Sequence, residues 1–195
     1  MLNNQFMFVL VWSFLAVACS SPQVAPQRSI EQEATMKLVD FTLPNETSAW
    51  FSLNDDVMGG VSRSELLATT SGTAIFRGNV SFENNGGFAT VQTNFRQPLN
   101  LSAYRGLVLR IKGDTKRYGV YLRTNSRSLV YQATYETTGE WQTVQIPFDQ
   151  FKPTYFGRTV PGDPIDTSII RSMSMLIEYK QEGKFALEIA YIGVY

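Results

Sequence analysis

Gly72-Thr73-Ala74-Ile75-Phe76-Arg77-Gly78-Asn79-Val80-Ser81-Phe82-Glu83 alternates along its length, with Ala74, Phe76, Val80 and Phe82 on one face and Arg77 and Ser81 on the other. A period of two is that of a strand with one face buried. Asn84-Asn85-Gly86-Gly87-Phe88 follows, built from residues that tolerate the left-handed backbone of tight turns. Beyond it Ala89, Val91 and Phe95 alternate with Thr90, Gln92 and Asn94. The spacing predicts a hairpin over 72–95, and hence a β fold.

The same pattern runs outward through the chain. Leu107, Leu109 and Ile111 face in while Arg110 and Lys112 face out, and Tyr118, Val120 and Leu122 repeat the arrangement. Leu129 to Glu136 and Gln142 to Phe148 read as further strands, the second with Val144 and Ile146 as its core pair. Phe151 to Asp166 carries three prolines and two glycines and reads as a long connection, entered by a short helical turn at Asp149-Gln150-Phe151. Ser172 to Tyr179 and Lys184 to Tyr195 close the chain, the latter with Phe185, Leu187, Ile189 and Tyr191 on one face. Roughly nine to eleven short strands with almost no helix predict an all-β, two-sheet β-sandwich or jelly roll, because such strands must bury one face against a second sheet.

Composition removes several function classes. Lys+Arg and Asp+Glu are 17 each and the basic residues are scattered, so no charge field draws the chain to nucleic acid. The absence of histidine removes Ser-His-Asp and Cys-His catalysis and histidine-ligated zinc. One cysteine, Cys19, allows no internal disulfide and no cysteine cluster. No phosphate-binding glycine loop is present. No cofactor and no metal are expected, and carboxylates, lysines, tyrosines and hydroxyls are what remains for chemistry.

Residues 1–35 set an address. Phe6 to Ala18 is an apolar run of about a dozen residues, short of the ~20 needed to span a bilayer, and small residues precede Cys19. This resembles a bacterial lipoprotein signal over 1–18, with Cys19 lipidated and Ser20 favouring the outer membrane. Residues 19–35 are polar, contain Pro22 and Pro26, and read as a flexible tether. The expected product is an exported domain over 36–195, anchored to a membrane through Cys19 at the periplasmic or outer-membrane face.

The densest departure from plain alternation is Trp50 to Glu65, which contains Asn54-Asp55-Asp56-Val57-Met58-Gly59-Gly60-Val61-Ser62-Arg63. Asn54, Asp55 and Asp56 can cap a turn, contact a ligand, or ligate a hard cation, although they lack the spaced carboxylates of a calcium loop. Met58 is either an adaptable contact or a plug beneath the loop. Two glycine pairs, Gly59-Gly60 and Gly86-Gly87, would let this loop and the Asn84-Asn85 turn pack closely. Asn54, Asp55, Asp56, Met58, Gly59, Gly60, Ser62, Arg63, Asn84, Asn85, Gly86 and Gly87 are therefore the candidate contact residues. Trp50 and Trp141 read as core-edge aromatics or a sugar-stacking pair. Arg110, Arg123 and Tyr131 are further candidates on mid-chain strands. Asp55 and Asp56, if extended, point to opposite faces and make a poor acid–nucleophile pair; Asp114, Glu136, Glu140 and Glu178 offer no preferred partner.

These residues resemble the complex I intermediate-associated protein 30 family. The resemblance rests on Asn54 to Ser62, with Phe76-Arg77-Gly78, Asn84 to Phe88, Lys112-Gly113-Asp114, Tyr131-Gln132-Ala133, Trp141 to Val144 and Pro147-Phe148, and covers 36–195. It implies a galactose-binding-like β-sandwich and a chaperone-like assembly role in respiratory complex I. An exported address argues against carrying that role over unchanged. Three readings follow: a non-catalytic domain binding a protein partner, a carbohydrate-binding module recognising a glycan, and a glycan-acting enzyme using two carboxylates.

Overall fold

A computed structural model describes residue 34 and residues 36–124, 129–177 and 181–195, without the side chains of Val57 and Met58. The signal, Cys19 and all of the tether except residue 34 lie outside the described residues. So does Glu178.

The elements in chain order are β1 (Met36–Asp40), β2 (Trp50–Ser52), β3 (Arg63–Ala68), β4 (Ala74–Val80), β5 (Ala89–Leu99), β6 (Gly106–Lys112), β7 (Arg117–Arg123), β8 (Val130–Glu136), β9 (Trp141–Pro147), β10 (Lys152–Tyr155), β11 (Arg158–Thr159), β12 (Ile170–Ile177) and β13 (Gly183–Val194). One sheet has the order β3-β4-β13-β6-β9, with β1 also paired to β13; the other has the order β11-β10-β8-β7-β12-β5-β2. Every pairing is antiparallel. The chain is thus a two-sheet sandwich, as the alternation requires.

Alternation fills the space between the sheets. Leu107, Leu109, Ile111, Phe76 and Leu187 on the first sheet meet Val120, Leu122, Met173 and Met175 on the second, and all are buried. Phe76 and Phe185 pack edge to face at 4.9 Å, with Tyr118 next to both at 6.4 Å. Each such side chain contributes roughly 1.5–3 kcal/mol on leaving water.

Three expectations change. The stretches 72–83 and 86–95 are not hairpin partners: β4 lies between β3 and β13, whereas β5 lies between β12 and β2. Residues 81–88 carry the chain from one sheet to the other, with Asn84, Asn85 and Gly87 at positive φ, and Phe82, past the end of β4, is exposed. In β13 the alternation slips by one residue between Ile189 and Tyr191. Ile192 and Val194 therefore take the buried positions, and Tyr191 is displaced from the face it was expected to share. The long connection after Phe151 contains its own small hairpin, β10–β11, with Phe156 and Gly157 at positive φ at its tip.

Candidate functional site

The two Asp residues of the Asn54–Arg63 stretch stand in a single 3-10 turn, Asp55–Met58, rather than on an extended strand. That turn separates them completely. Asp55 is 1% exposed, while Asp56 is exposed beside Arg63 at 3.9 Å.

Asp55 is a junction between both sheets. Its Oδ1 accepts the Ser62 N–H at 3.0 Å, and its Oδ2 accepts the Ser62 hydroxyl at 2.5 Å and the N–H groups of Gly87 and Phe88 at 2.7 and 3.3 Å. Its backbone carbonyl accepts the Gly60 N–H at 3.0 Å. The Ser62 hydroxyl extends the junction by accepting the Ser81 N–H at 3.0 Å. Burial alone would raise the pKa of this carboxyl, but the donors from Ser62, Gly87 and Phe88 outweigh it and hold the pKa below 3.8. Asp55 is a fixed anion.

The glycines follow from that carboxylate. A Cβ on Gly60 would stand 2.4 Å from Asp55 Cγ, and one on Gly86 would stand 2.5 Å from Asp55 Oδ2. Gly59 caps the turn at φ 90° with open space around it, and its carbonyl accepts the Asn84 amide at 3.2 Å. Asn54 is buried beside the junction, its Oδ1 taking the Ser64 hydroxyl at 2.6 Å and the Thr90 N–H at 3.2 Å. The structure thus brings together Asn54, Asp55, Gly60, Ser62, Gly86 and Gly87 as an interior joint. Asp56, Arg63, Asn84 and Asn85 form its exposed rim. The Met58 side chain lies outside the description.

Beside the rim runs a groove of about 710 Å³, bordered by Arg63, Glu65, Arg77, Asn79 and Lys184 with Phe185 at its base. Arg77 is bound to Glu65 at 2.8 Å.

The other candidates are dispersed. Tyr131 faces the core. Arg110 lies over the Trp141 ring at 5.8 Å on the outer face of the first sheet, and Arg123 lies on the second. Trp50 packs against Phe41 at 6.1 Å, so the two tryptophans do not form a stacking pair. Of the carboxylates, Asp114 accepts the Tyr118 hydroxyl at 2.9 Å and the Ala186 N–H at 3.0 Å, and Glu136 pairs with Arg117 at 2.9 Å. Among the described residues no group of three or more Cys, Asp or Glu could hold a metal ion.

Register exposes one surface that linear reading missed. On the outer face of the second sheet, Phe51, Gln92, Ser174, Tyr121, Gln132 and Lys152 stand in one row across six strands. A second row, Asn94, Ser172 and Arg123, runs alongside it. Each residue alone reads as an ordinary outward position of its strand; only the pairing of distant segments aligns them.

Residues 39–189 match the model of the complex I intermediate-associated protein 30 family. An uncharacterised protein of Schizosaccharomyces pombe is 33% identical over 159 residues, covering 70% of this chain and 73% of that one. A probable mitochondrial complex I intermediate-associated protein 30 of Caenorhabditis elegans is 29% identical over 73% of this chain, and the mouse mitochondrial protein of that name is 26% identical over 89%. The matches span only 48% and 60% of those two relatives. Among solved structures, a family 11 carbohydrate-binding module of a Clostridium thermocellum cellulase aligns with a TM-score of 0.60 at 15% identity, over 82% of this chain and 94% of the module. An agarase aligns at 0.59 with 10% identity, over 84% of this chain and 25% of the enzyme. At such identities these likenesses show the fold: a galactose-binding-like jelly roll.

Proposed function

This chain belongs to the complex I intermediate-associated protein 30 family, and from that premise we propose that it is a non-catalytic binding and scaffolding domain, chaperone-like in action, whose partner is a protein. One observation carries the proposal. The carboxylate at the centre of the family-like motif is fully engaged by four donors and locked as an anion. It has no proton to give as an acid and no free lone pair directed at solvent, so it supports architecture rather than turnover. What that architecture presents outward is an exposed rim of Asp56, Arg63, Asn84 and Asn85, with Arg63 also lining the adjoining groove.

Relatives named for a complex I intermediate make protein assembly the first class of activity to test. We extend the proposal to location: export, lipidation at Cys19, and display of the domain from a membrane on its tether. An exported domain meets different partners from a mitochondrial one, so its assembly target would differ too. Mass spectrometry of the mature N-terminus checks the address, with acylated Cys19 as the expected result.

The binding test is chemical cross-linking in envelope preparations with wild type and an Asp56→Lys/Arg63→Glu variant. The expected outcome is a discrete cross-linked species with wild type that disappears in the variant while its melting temperature is unchanged. Equal cross-linking by both removes the rim as the contact surface.

Glycan recognition is the second reading. Two features favour it: the likeness of the fold to a carbohydrate-binding module and the amide- and hydroxyl-rich rows on the second sheet.

A further inference from the structure

We propose that the outer face of the seven-stranded sheet is a cleft for a neutral glycan chain, distinct from the rim around Asp56 and Arg63. The inference rests on the glycan reading above and gives it a site.

The row Phe51–Gln92–Ser174–Tyr121–Gln132–Lys152 crosses five inter-strand gaps, or about 24 Å at the usual strand spacing. Its middle is low. Ser174 and, in the next row, Ser172 are only 3% and 4% exposed although they point away from the core. Register places each between longer neighbours, Gln92 and Tyr121 for Ser174, Asn94 and Arg123 for Ser172. The Ser174 hydroxyl stands 3.2 Å from Gln92 Oε1, and Gln92 Nε2 donates to Asn94 Oδ1 at 3.0 Å, so the amide wall is held in place. The exposed Phe51 ring borders the face at one end and Lys152 at the other.

The chemistry selects the occupant. Side-chain amides, hydroxyls and a phenol both donate and accept hydrogen bonds, which matches the hydroxyls of a pyranose ring, while Phe51 and Tyr121 bring aromatic area suited to its C–H surface. No carboxylate stands in either row. Arg123, half-buried at the end of the second row, is a cation and Lys152 stands at the rim, so the uncharged stretch is the middle of the first row, Gln92, Ser174, Tyr121 and Gln132. A buried protein interface would instead centre on an apolar or aromatic anchor in a pocket; here the centre is serine. A chain of sugar rings lying across the strands meets one residue of the row at each step.

The test is native affinity electrophoresis of the full chain in gels containing mixed-linkage β-glucan, galactomannan or xyloglucan, with polygalacturonate as the acidic probe. Retardation by at least one neutral polymer is expected, weakened tenfold or more by Tyr121→Ala and by Gln132→Glu, and unaffected by Asp56→Lys. Melting temperatures exclude misfolding, and Tyr121→Phe, which keeps the ring, should retain most of the retardation. If wild type is retarded but neither Tyr121→Ala nor Gln132→Glu changes it, the site is wrong and the glycan reading survives. No retardation by any neutral polymer overturns both. Retardation by polygalacturonate alone overturns the neutral class, and a photo-cross-linker at position 132 that captures a protein with no competition by the neutral polymers overturns the occupant.

Discussion

Replacing Asp55 with asparagine tests the junction with almost no change of shape. If the amide oxygen takes the Oδ2 position, it keeps the Ser62 hydroxyl and the Gly87 and Phe88 N–H groups. Each of those bonds then falls from charge-assisted to neutral, a loss of about 1 kcal/mol apiece. The amide nitrogen, in the place of Oδ1, would face the Ser62 N–H donor-to-donor, leaving a buried donor unsatisfied at a further ~1–2 kcal/mol. The total is roughly 4 kcal/mol, a large part of the 5–15 kcal/mol that holds an ordinary domain together. Urea denaturation followed by tryptophan fluorescence should show a midpoint about 2 M lower, for a slope of roughly 2 kcal/mol/M. The pH dependence carries its own sign. The folded pKa of Asp55 lies below its ordinary 3.8, so its stabilisation is present above that value and is lost as pH falls through the folded pKa. The gap between wild type and Asp55→Asn is therefore constant from pH 7 to about 5 and narrows below about pH 4. A variant within 1 kcal/mol of wild type at pH 7, or a gap that widens in acid, refutes the junction.

Two further outcomes separate space from conformation and depth from surface. Gly86→Ala places a Cβ 2.5 Å from Asp55 Oδ2 and 2.8 Å from the Ser81 carbonyl, and should cost about 3 kcal/mol or more; Gly59→Ala meets nothing within 4 Å and should cost only the ~1 kcal/mol of its positive φ. Thermal melts rank the two, and equal effects would refute the steric argument. Tyr118→Phe keeps the buried ring but removes its hydroxyl, bound at 2.9 Å to the part-buried Asp114, at about 1–2 kcal/mol by denaturation, whereas Arg77→Ala breaks an exposed pair with Glu65 and should stay within ~1 kcal/mol.

The strands were legible where one face is buried and the other wet. Leu107, Leu109 and Ile111, or Tyr118, Val120 and Leu122, declare their faces within a few residues, because a half-buried strand writes its geometry at period two. What escaped depends on partners far away in sequence. Asn84-Asn85-Gly86-Gly87 has the chemistry of a hairpin turn, and the same residues equally allow a crossover; only the preference of β5 for β12 and β2 decides. The slip near Ala190 leaves no local mark either. At the candidate site, two glycine pairs correctly announced a close approach, since glycine is what a tight backbone contact needs. That Asp55 is buried and Asp56 exposed was beyond reach, because alternation says nothing about a 3-10 turn. The row through Ser174 draws on six strands and the row through Ser172 on three, and no window of sequence contains either.

This division explains why the stretch from Asn54 to Ser62 identifies a family more readily than an activity. Asn54 ties β3 to β5 through Ser64 and Thr90, and Asp55 ties its own turn to Ser62 and to the 81–88 crossover. Gly60 and Gly86 leave room for the carboxylate. Each of these roles serves the passage of the chain between two sheets, and each would be the same whatever the domain binds. Residues free to define a partner are those the joint holds outward, Asp56 and Arg63 first, and those on the outer face of the second sheet. Changing the joint should therefore lower stability and every binding activity together, while changing the rim or the face should remove one binding activity at unchanged stability.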